Sequence, residues 1–285
     1  MTKQHLFNTT VVPTWCPGCG NFGTWLAVKN ALNELEIPPQ KVLTIFDIGC
    51  GGNGNNFWGT NTFHGLHGRP LPLAVGAKIA NSDLVVLVST GDGGGYGEGG
   101  NHFIHTVRSN IQVVCLAHNN QLYGLTTGQF SPMSDQGFVS KTSPEGVTDV
   151  PFNPLATAIS NGGTFAARGF SGDLPHLTNL IKQAIQHPGF ALVDILQPCV
   201  TFNKINTFAW YKERIYKLED KNHKTNDKKA AWEKAMEQDD KIPIGIFYKE
   251  IRSTYHDLVP ALTNRALAKQ ELTAVEIEQF LEEFR

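Results

Sequence analysis

Gly91-Asp92-Gly93 follows one buried apolar run of this chain, and Asn119-Asn120 follows the next. An aspartate carboxylate and an asparagine amide oxygen are hard ligands. With a backbone carbonyl and two phosphate oxygens they complete the octahedron that magnesium demands. The flanking glycines keep side chains away from a diphosphate, and a helix beginning near Gly97 directs N–H groups towards it. DG and NN are also ordinary turn dipeptides. Their paired placement after two strands, and the run Tyr123-Gly124-Leu125-Thr126-Thr127-Gly128-Gln129 that follows, favour a site.

The cysteines suggest a second centre. Cys16-Pro17-Gly18-Cys19 brings two thiols within reach of one metal. Alone, the pair supports a zinc knuckle, a redox dithiol or half of an iron–sulfur site. Cys50 ends the first strand and Cys199 follows the last, so both fall at one edge of a sheet. Four soft ligands suit iron–sulfur or zinc, and spacing does not choose between them. Cys115 lies inside the apolar VVCLA run and reads as core. His64, His67, His102, His105 and His118 lack the accompanying acid and spacing of a zinc set, so each reads as core or surface. The pattern G-x-G-x-x-G occurs at Gly18, at Gly49 and at Gly95, and three matches in a glycine-rich chain make it weak; after Gly49 and Gly95 the region where a dinucleotide site requires an acidic residue holds His67-Gly68-Arg69 and His118-Asn119-Asn120.

These groups need a scaffold to position them. Residues 42–48, 84–88, 113–117, 163–167 and 190–196 read as strands. Residues 25–35, 97–109, 152–160 and 174–186 read as helices. Alternating strands and helices predict an α/β fold with a parallel sheet flanked by helices. Asp92, Asn120, Cys50 and Cys199 then emerge at the carboxyl edge, where such sheets bind ligands. Beyond residue 202 the composition changes, predicting a domain over 1–202 and a charged, mainly helical extension over 203–285 that packs on the domain or a partner. Within it, residues 219–241 are crowded with Lys, Asp and Glu and read as a solvated tail or wrapping helix. Thr273 and Glu276 have capping-box spacing, followed by an apolar stripe of Ile277, Phe280, Leu281 and Phe284.

The 285 residues carry a net charge of -2, without the basic surplus of a general nucleic-acid binder. Hydrophobic residues make up 41% and charged ones 18%, a globular balance. There is no apolar run of about eighteen residues, and the N-terminus lacks the apolar core of a signal peptide. A soluble cytoplasmic protein is expected.

WCPGCGN (15–21), DIGCGG (47–52), HGLHGR (64–69), GDG (91–93), GGNHFIHTVRSNI (99–111), HNNQLYGLTTGQ (118–129) and QPC (197–199) together form a specific set. On these motifs the chain resembles the beta subunits of two-subunit 2-oxoacid:ferredoxin oxidoreductases, over roughly residues 10–205. The resemblance implies a thiamine diphosphate-binding fold, with Cys16, Cys19, Cys50 and Cys199 holding a 4Fe-4S cluster. It assigns magnesium to Asp92, Asn120 and the Leu122 carbonyl. Ile48, Gly49, Cys50, Gly51, His67, Gly91, Gly93, Gly94, Gly124 and Leu125 then line the cofactor. The reaction it implies turns a 2-oxoacid and coenzyme A into acyl-CoA, carbon dioxide and reduced ferredoxin. The leaning is to 2-oxoglutarate, with pyruvate or branched oxoacids as alternatives. The activating glutamate, and with it activity, are expected from an alpha subunit. Two positions depart from the pattern: many relatives carry aspartate where this chain has Gly94, and some carry a basic residue where it has Asn53. A non-redox thiamine diphosphate enzyme and a zinc- or dinucleotide-binding module are the competing readings.

Overall fold

Val42–Phe46 (β1) is followed by Asn61–His64 (β2), Val85–Gly91 (β3) and Val114–Asn119 (β4), and the hairpin Leu122–Tyr123 (β5) with Gln129–Phe130 (β6) lies outside the main sheet. Phe165–Phe170 (β7), Ala191–Leu196 (β8), Ile215–Lys217 (β9) and Ile242–Lys249 (β10) complete the set. The computed structural model describes residues 6–237, 240–263, 265–270 and 277–285. Its eight-stranded sheet has the order β2-β1-β3-β4-β8-β7-β10-β9. Neighbours are parallel except β10 against β7.

Helices cover both faces because the central strands are apolar on both sides. Asn21–Glu34 (α1) is the first helix, and Pro70–Ala80 (α2), Gly100–Ser109 (α3) and Pro154–Ser160 (α4) come next. Leu174–Gln186 (α5), Phe208–Arg214 (α6) and Lys228–Ala235 (α7) follow. On one face, Ala27, Leu32, Leu180 and Ile181 of α1 and α5 pack on Val42, Leu87, Leu116 and Val193. On the other, Leu71, Phe103, Leu155 and Ala231 of α2, α3, α4 and α7 pack on Ile45, Val88, Cys115 and Leu192. Cys115 is therefore core, as its apolar strand predicts. Helix starts carry their own signals. Asn153 and Asp173 accept N–H bonds from Ala156 and His176, each ahead of a proline at the first or second helical position.

The expected strands and helices all form, with ends moved by a few residues. Two features differ. The helical turn expected from Gly97 begins at Gly93 as a π-helix, Gly93–Glu98, before α3. The extension beyond residue 202 is helical in α6 and α7 but also supplies β9 and β10. The run Ile242–Lys249 is almost entirely buried because it pairs with β7 at the sheet's far side. Thr273 and Glu276 lie outside the described residues. Ile277, Phe280, Leu281 and Phe284 are between 49% and 89% exposed, so their stripe is uncovered. Among the described residues, no helix is long and apolar enough to cross a membrane.

β10 carries Phe247, fully buried between the sheet and the helical layer. Phe247→Ala is expected to lower stability by about 3–5 kcal/mol, read as a lower denaturant midpoint. A midpoint within error of the parent's would show that β10 is dispensable to the core.

Candidate active site

Two cavities open side by side at the carboxyl ends of β1, β3, β4 and β8. The switch in strand order falls between β1 and β3, where doubly wound sheets form their ligand crevice. The smaller cavity, about 80 Å3, is lined by Ile48, Gly49, Cys50, Gly51, His67, Gly91, Asp92, Gly93, Gly94, Asn120, Leu122, Gly124 and Leu125. The larger, about 220 Å3, has all of Cys16, Cys19, Cys50 and Cys199 on its walls, with Asn53. The structure thus brings the expected site residues into two neighbouring groups. Cys50, Asn120, Gly124, Leu125 and Gln197 face both.

In the smaller cavity Asp92 follows β3, and Asn120 follows β4 one strand away. The Asp92 carboxyl is fully buried and accepts a hydrogen bond from Ser131 Oγ. Burial pushes its pKa up to about 7, against the lowering effect of the Ser131 bond. A buried carboxylate without a cation is costly, and a divalent ion would supply the missing charge. Asn120 Oδ1 accepts from the Leu122 N–H at 3.1 Å, fixing the turn that brings Leu122 onto the cavity wall. Below, Asn119 donates to Asp194, which also accepts from Tyr96 and pairs with Arg168 at 3.1 Å. That buried network ties the π-helix, β4, β7 and β8 together under the site.

Asp47 was missed as a site residue, although it opens the DIGCGG motif. It is fully buried and accepts from Ile48 N (2.7 Å), Gly68 N (2.9 Å) and Thr90 Oγ1 (2.6 Å). His67 Nδ1 lies 3.5 Å from its carboxylate, and His67 Nε2 lies 3.9 Å from Glu98, which accepts from the Tyr123 hydroxyl. Asp47 thereby fastens the loops that carry Ile48 and His67 to the end of β3. It also explains Gly94. A Cβ there would sit 2.0 Å from Asp47 Oδ2, so the volume a side chain at 94 would need is already filled by a carboxylate. The carboxylate at this point of the wall comes from Asp47, just beyond β1.

In the larger cavity, Cys16 to Cys19 form a type II turn, with Cys19 N bonded to Cys16 O at 3.0 Å. Pro17 sets the first central residue and Gly18 takes the positive φ, +79°, of the second. The turn places both thiols on one side, and Gly20 N bonds to Pro198 O, beside Cys199. The Trp15 indole donates to the Cys50 carbonyl at 2.6 Å, and Phe202 N donates to Cys199 Sγ at 3.5 Å. Burial, then repulsion from Cys19, Cys199 and Cys16, pushes the Cys50 thiol up to about 12. Cys19 is likewise raised, first by burial and partly by Cys199 and Cys16, while hydrogen bonds from Asn21 oppose the shift. Four sulfurs that feel one another in this way lie around one space. Among the described residues, no three His, Cys, Asp or Glu side chains converge on a point that would hold a single ion. Gln197, quoted in a motif but given no role, lies between the cavities, and His118, read as core or surface, is buried on the wall of the smaller one. Burial lowers the pKa of His118 to about 4.

Residues 47–195 match the family described as thiamine pyrophosphate enzyme, C-terminal TPP binding domain. The scaffold is that of a thiamine pyrophosphate enzyme's TPP-binding domain. Residues 199–264 match the family described as the C-terminal part of the pyruvate ferredoxin oxidoreductase beta chain. The subunit beta of a 2-oxoacid:ferredoxin oxidoreductase from a Sulfolobus species is 44% identical over 266 residues, covering 89% of this chain and 85% of that protein. Its counterpart from Saccharolobus solfataricus is 43% identical over 258 residues, covering 86% and 85%. A solved 2-oxoglutarate:ferredoxin oxidoreductase from Magnetococcus marinus, with 2-oxoglutarate, coenzyme A and succinyl-CoA bound, superposes with a TM-score of 0.92. The identity there is 34%, over 100% of this chain and 96% of that one. The chain belongs to the beta subunits of the 2-oxoacid:ferredoxin oxidoreductases.

Gly94→Ala is expected to cost about 1–3 kcal/mol by overpacking against Asp47, whereas Gly100→Ala, with open space at its Cβ, should not. Thermal midpoints of the two variants check this. Combining Gly94→Ala with Asp47→Ala should be less damaging than the sum, and strict additivity would show that the two positions do not compete.

Proposed function

We propose that the chain holds thiamine diphosphate through magnesium in the smaller cavity and a 4Fe-4S cluster in the larger. In this reading it serves the coenzyme A-dependent oxidative decarboxylation of a 2-oxoacid, with 2-oxoglutarate favoured over pyruvate. The observation that carries the reading is the sharing of Cys50 by both cavities. A thiolate ligand of the cluster would then border the cofactor, as one-electron transfer needs. The non-redox alternative leaves the four clustered thiols without work.

The residues fit the proposed groups. Asp92, Asn120 and the Leu122 carbonyl offer hard oxygens for magnesium, and Cys16, Cys19, Cys50 and Cys199 offer thiolates for iron. The 80 Å3 cavity suits the diphosphate and its cation. Ile48 and Leu125, 36% and 49% exposed, provide an apolar rim beyond it. When bound, the cofactor supplies the electron sink for decarboxylation. The chain's part is to bind and orient. Asp92 brings the charge that holds the cation, Gly93 and Gly94 let backbone approach the diphosphate, and Asp47 with His67 fixes the wall opposite. Cys16, Cys19 and Cys199, beyond Cys50 in the larger cavity, would hold the cluster, which when bound would supply one-electron transfer towards ferredoxin.

Other parts fall to a partner. Neither cavity has a lysine or arginine among its lining residues. The cation for a substrate carboxylate, the activating glutamate and the coenzyme A site are accordingly assigned to an alpha subunit. A cytoplasmic setting fits five unpaired cysteines, since thiols stay reduced there.

Purified with its alpha subunit, the enzyme should be brown, bleach with dithionite and reduce ferredoxin with 2-oxoglutarate faster than with pyruvate. A colourless preparation without iron would refute the cluster, and the opposite substrate order would refute the preference. Asp92→Ala should lose thiamine diphosphate and keep iron, while Cys19→Ser should do the reverse. Metal and cofactor analysis of both variants checks the separation, and joint loss in either would mean one inseparable site. The beta chain alone should show no oxidative turnover in the ferredoxin assay, and turnover there would remove the need for a partner.

A further inference from the structure

Asn21, Ser89, His118 and Gln197 are 0%, 0%, 3% and 1% exposed, and none has a part in the chemistry above. His118 stands at the end of β4, just ahead of Asn119-Asn120, with its ring beside Gly51. Its Nδ1 faces two amide oxygens, Asn21 Oδ1 at 2.9 Å and Gln197 Oε1 at 3.0 Å. Two acceptors around one nitrogen require that nitrogen to carry the proton. Nε2 then accepts from the Ser89 hydroxyl at 3.0 Å.

An amide whose oxygen faces His118 turns its NH2 the other way. In Gln197 that way leads to Cys19, and Nε2 donates to Cys19 Sγ at 3.8 Å. Asn21 Nδ2 is enclosed and, among the described residues, has no partner in strict hydrogen-bond geometry. The reverse assignment of Gln197 would set an amide oxygen against the Cys19 thiolate and repel it. One imidazole proton therefore decides the direction of two amides.

We infer that His118 is a positioning residue for the cluster: its single Nδ1–H holds the amide oxygens of Asn21 and Gln197, and so turns the Gln197 N–H towards Cys19 Sγ. The inference rests on the proposed role of Cys19 as a cluster ligand. Hydrogen bonds to the sulfurs are among the factors that set the potential of an iron–sulfur centre. Reduction adds a negative charge, so the donors stabilise the reduced state more than the oxidised one and raise the potential. Gln197 faces both cavities, and His118 stands beside the strand end that carries Asn120. The geometry of the cofactor wall is thus built into the tuning of the cluster.

The test uses the anaerobically purified alpha–beta holoenzyme, with iron analysis and a redox titration followed by electron paramagnetic resonance. Gln197→Met removes the donor at similar volume, and His118→Leu releases both amides. His118→Asn offers an amide N–H where Nδ1–H stood. Iron-replete Gln197→Met should favour oxidation on the order of tenfold more than the parent, about 59 mV more negative for one electron. His118→Leu should shift at least as far, the double variant by less than the sum, and His118→Asn back towards the parent. Unchanged midpoints and g-values in iron-replete Gln197→Met and His118→Leu overturn the inference and leave the cluster assignment standing. A parent holoenzyme without iron overturns the assignment and the inference with it. If His118→Leu does not fold, Gln197→Met decides alone.

Discussion

The height at which neighbouring parallel strands end governs everything at this site. Phe46 of β1 pairs with Ser89, Gly91 of β3 with His118, and Asn119 of β4 with Leu196. The residues that follow leave the sheet at one level, so Asp47, Asp92, Asn120 and Gln197 meet although they are far apart in sequence. A slip of one residue in any pairing would turn a ligand from the cavity into the helical layer. The register is held from below by apolar packing on both faces and by the Arg168–Asp194 pair, whose partners stand opposite each other on β7 and β8.

That convergence has an electrostatic consequence. The edge collects groups that can ionise to anions: a buried aspartate and four thiols within mutual reach. Without positive centres their ionised forms are disfavoured by burial and by one another. The protein supplies few cations here and relies on directed N–H and O–H groups instead. Ser131 serves Asp92, Phe202 N serves Cys199, and backbone amides with Thr90 serve Asp47. Donors of this kind orient without adding charge, which leaves the charge balance to be completed by what binds.

Much of this was legible in the sequence because the site is built from strand ends. An apolar run that stops at glycine or at polar residues marks both the element and the edge: Cys50 and Asp92 follow runs that stop at Gly49 and Gly91, Asn120 one that stops at His118, and Cys199 one that stops at Gln197. β10 escaped notice because its run, Ile242–Lys249, contains Pro243 and Gly245 and follows a charged stretch that reads as tail. The π-helix was not legible either, since Gly93 to Glu98 has no periodic apolar face and owes its path to Tyr96 reaching Asp194. Asp47 looked like an incidental acid because its partners are backbone groups and a threonine from other segments. His118 and Gln197 stood inside quoted motifs, but their roles depend on which amide atom faces which neighbour, and only coordinates disclose that.

The carboxylate at 47 and the bare backbone at 94 share one volume. A side chain added at 94 would press on Asp47 Oδ2, and removal of the carboxylate would leave the amides of Ile48 and Gly68 without their acceptor. Neither position can be altered alone without overfilling this wall or hollowing it, so any redesign of the wall has to change both together.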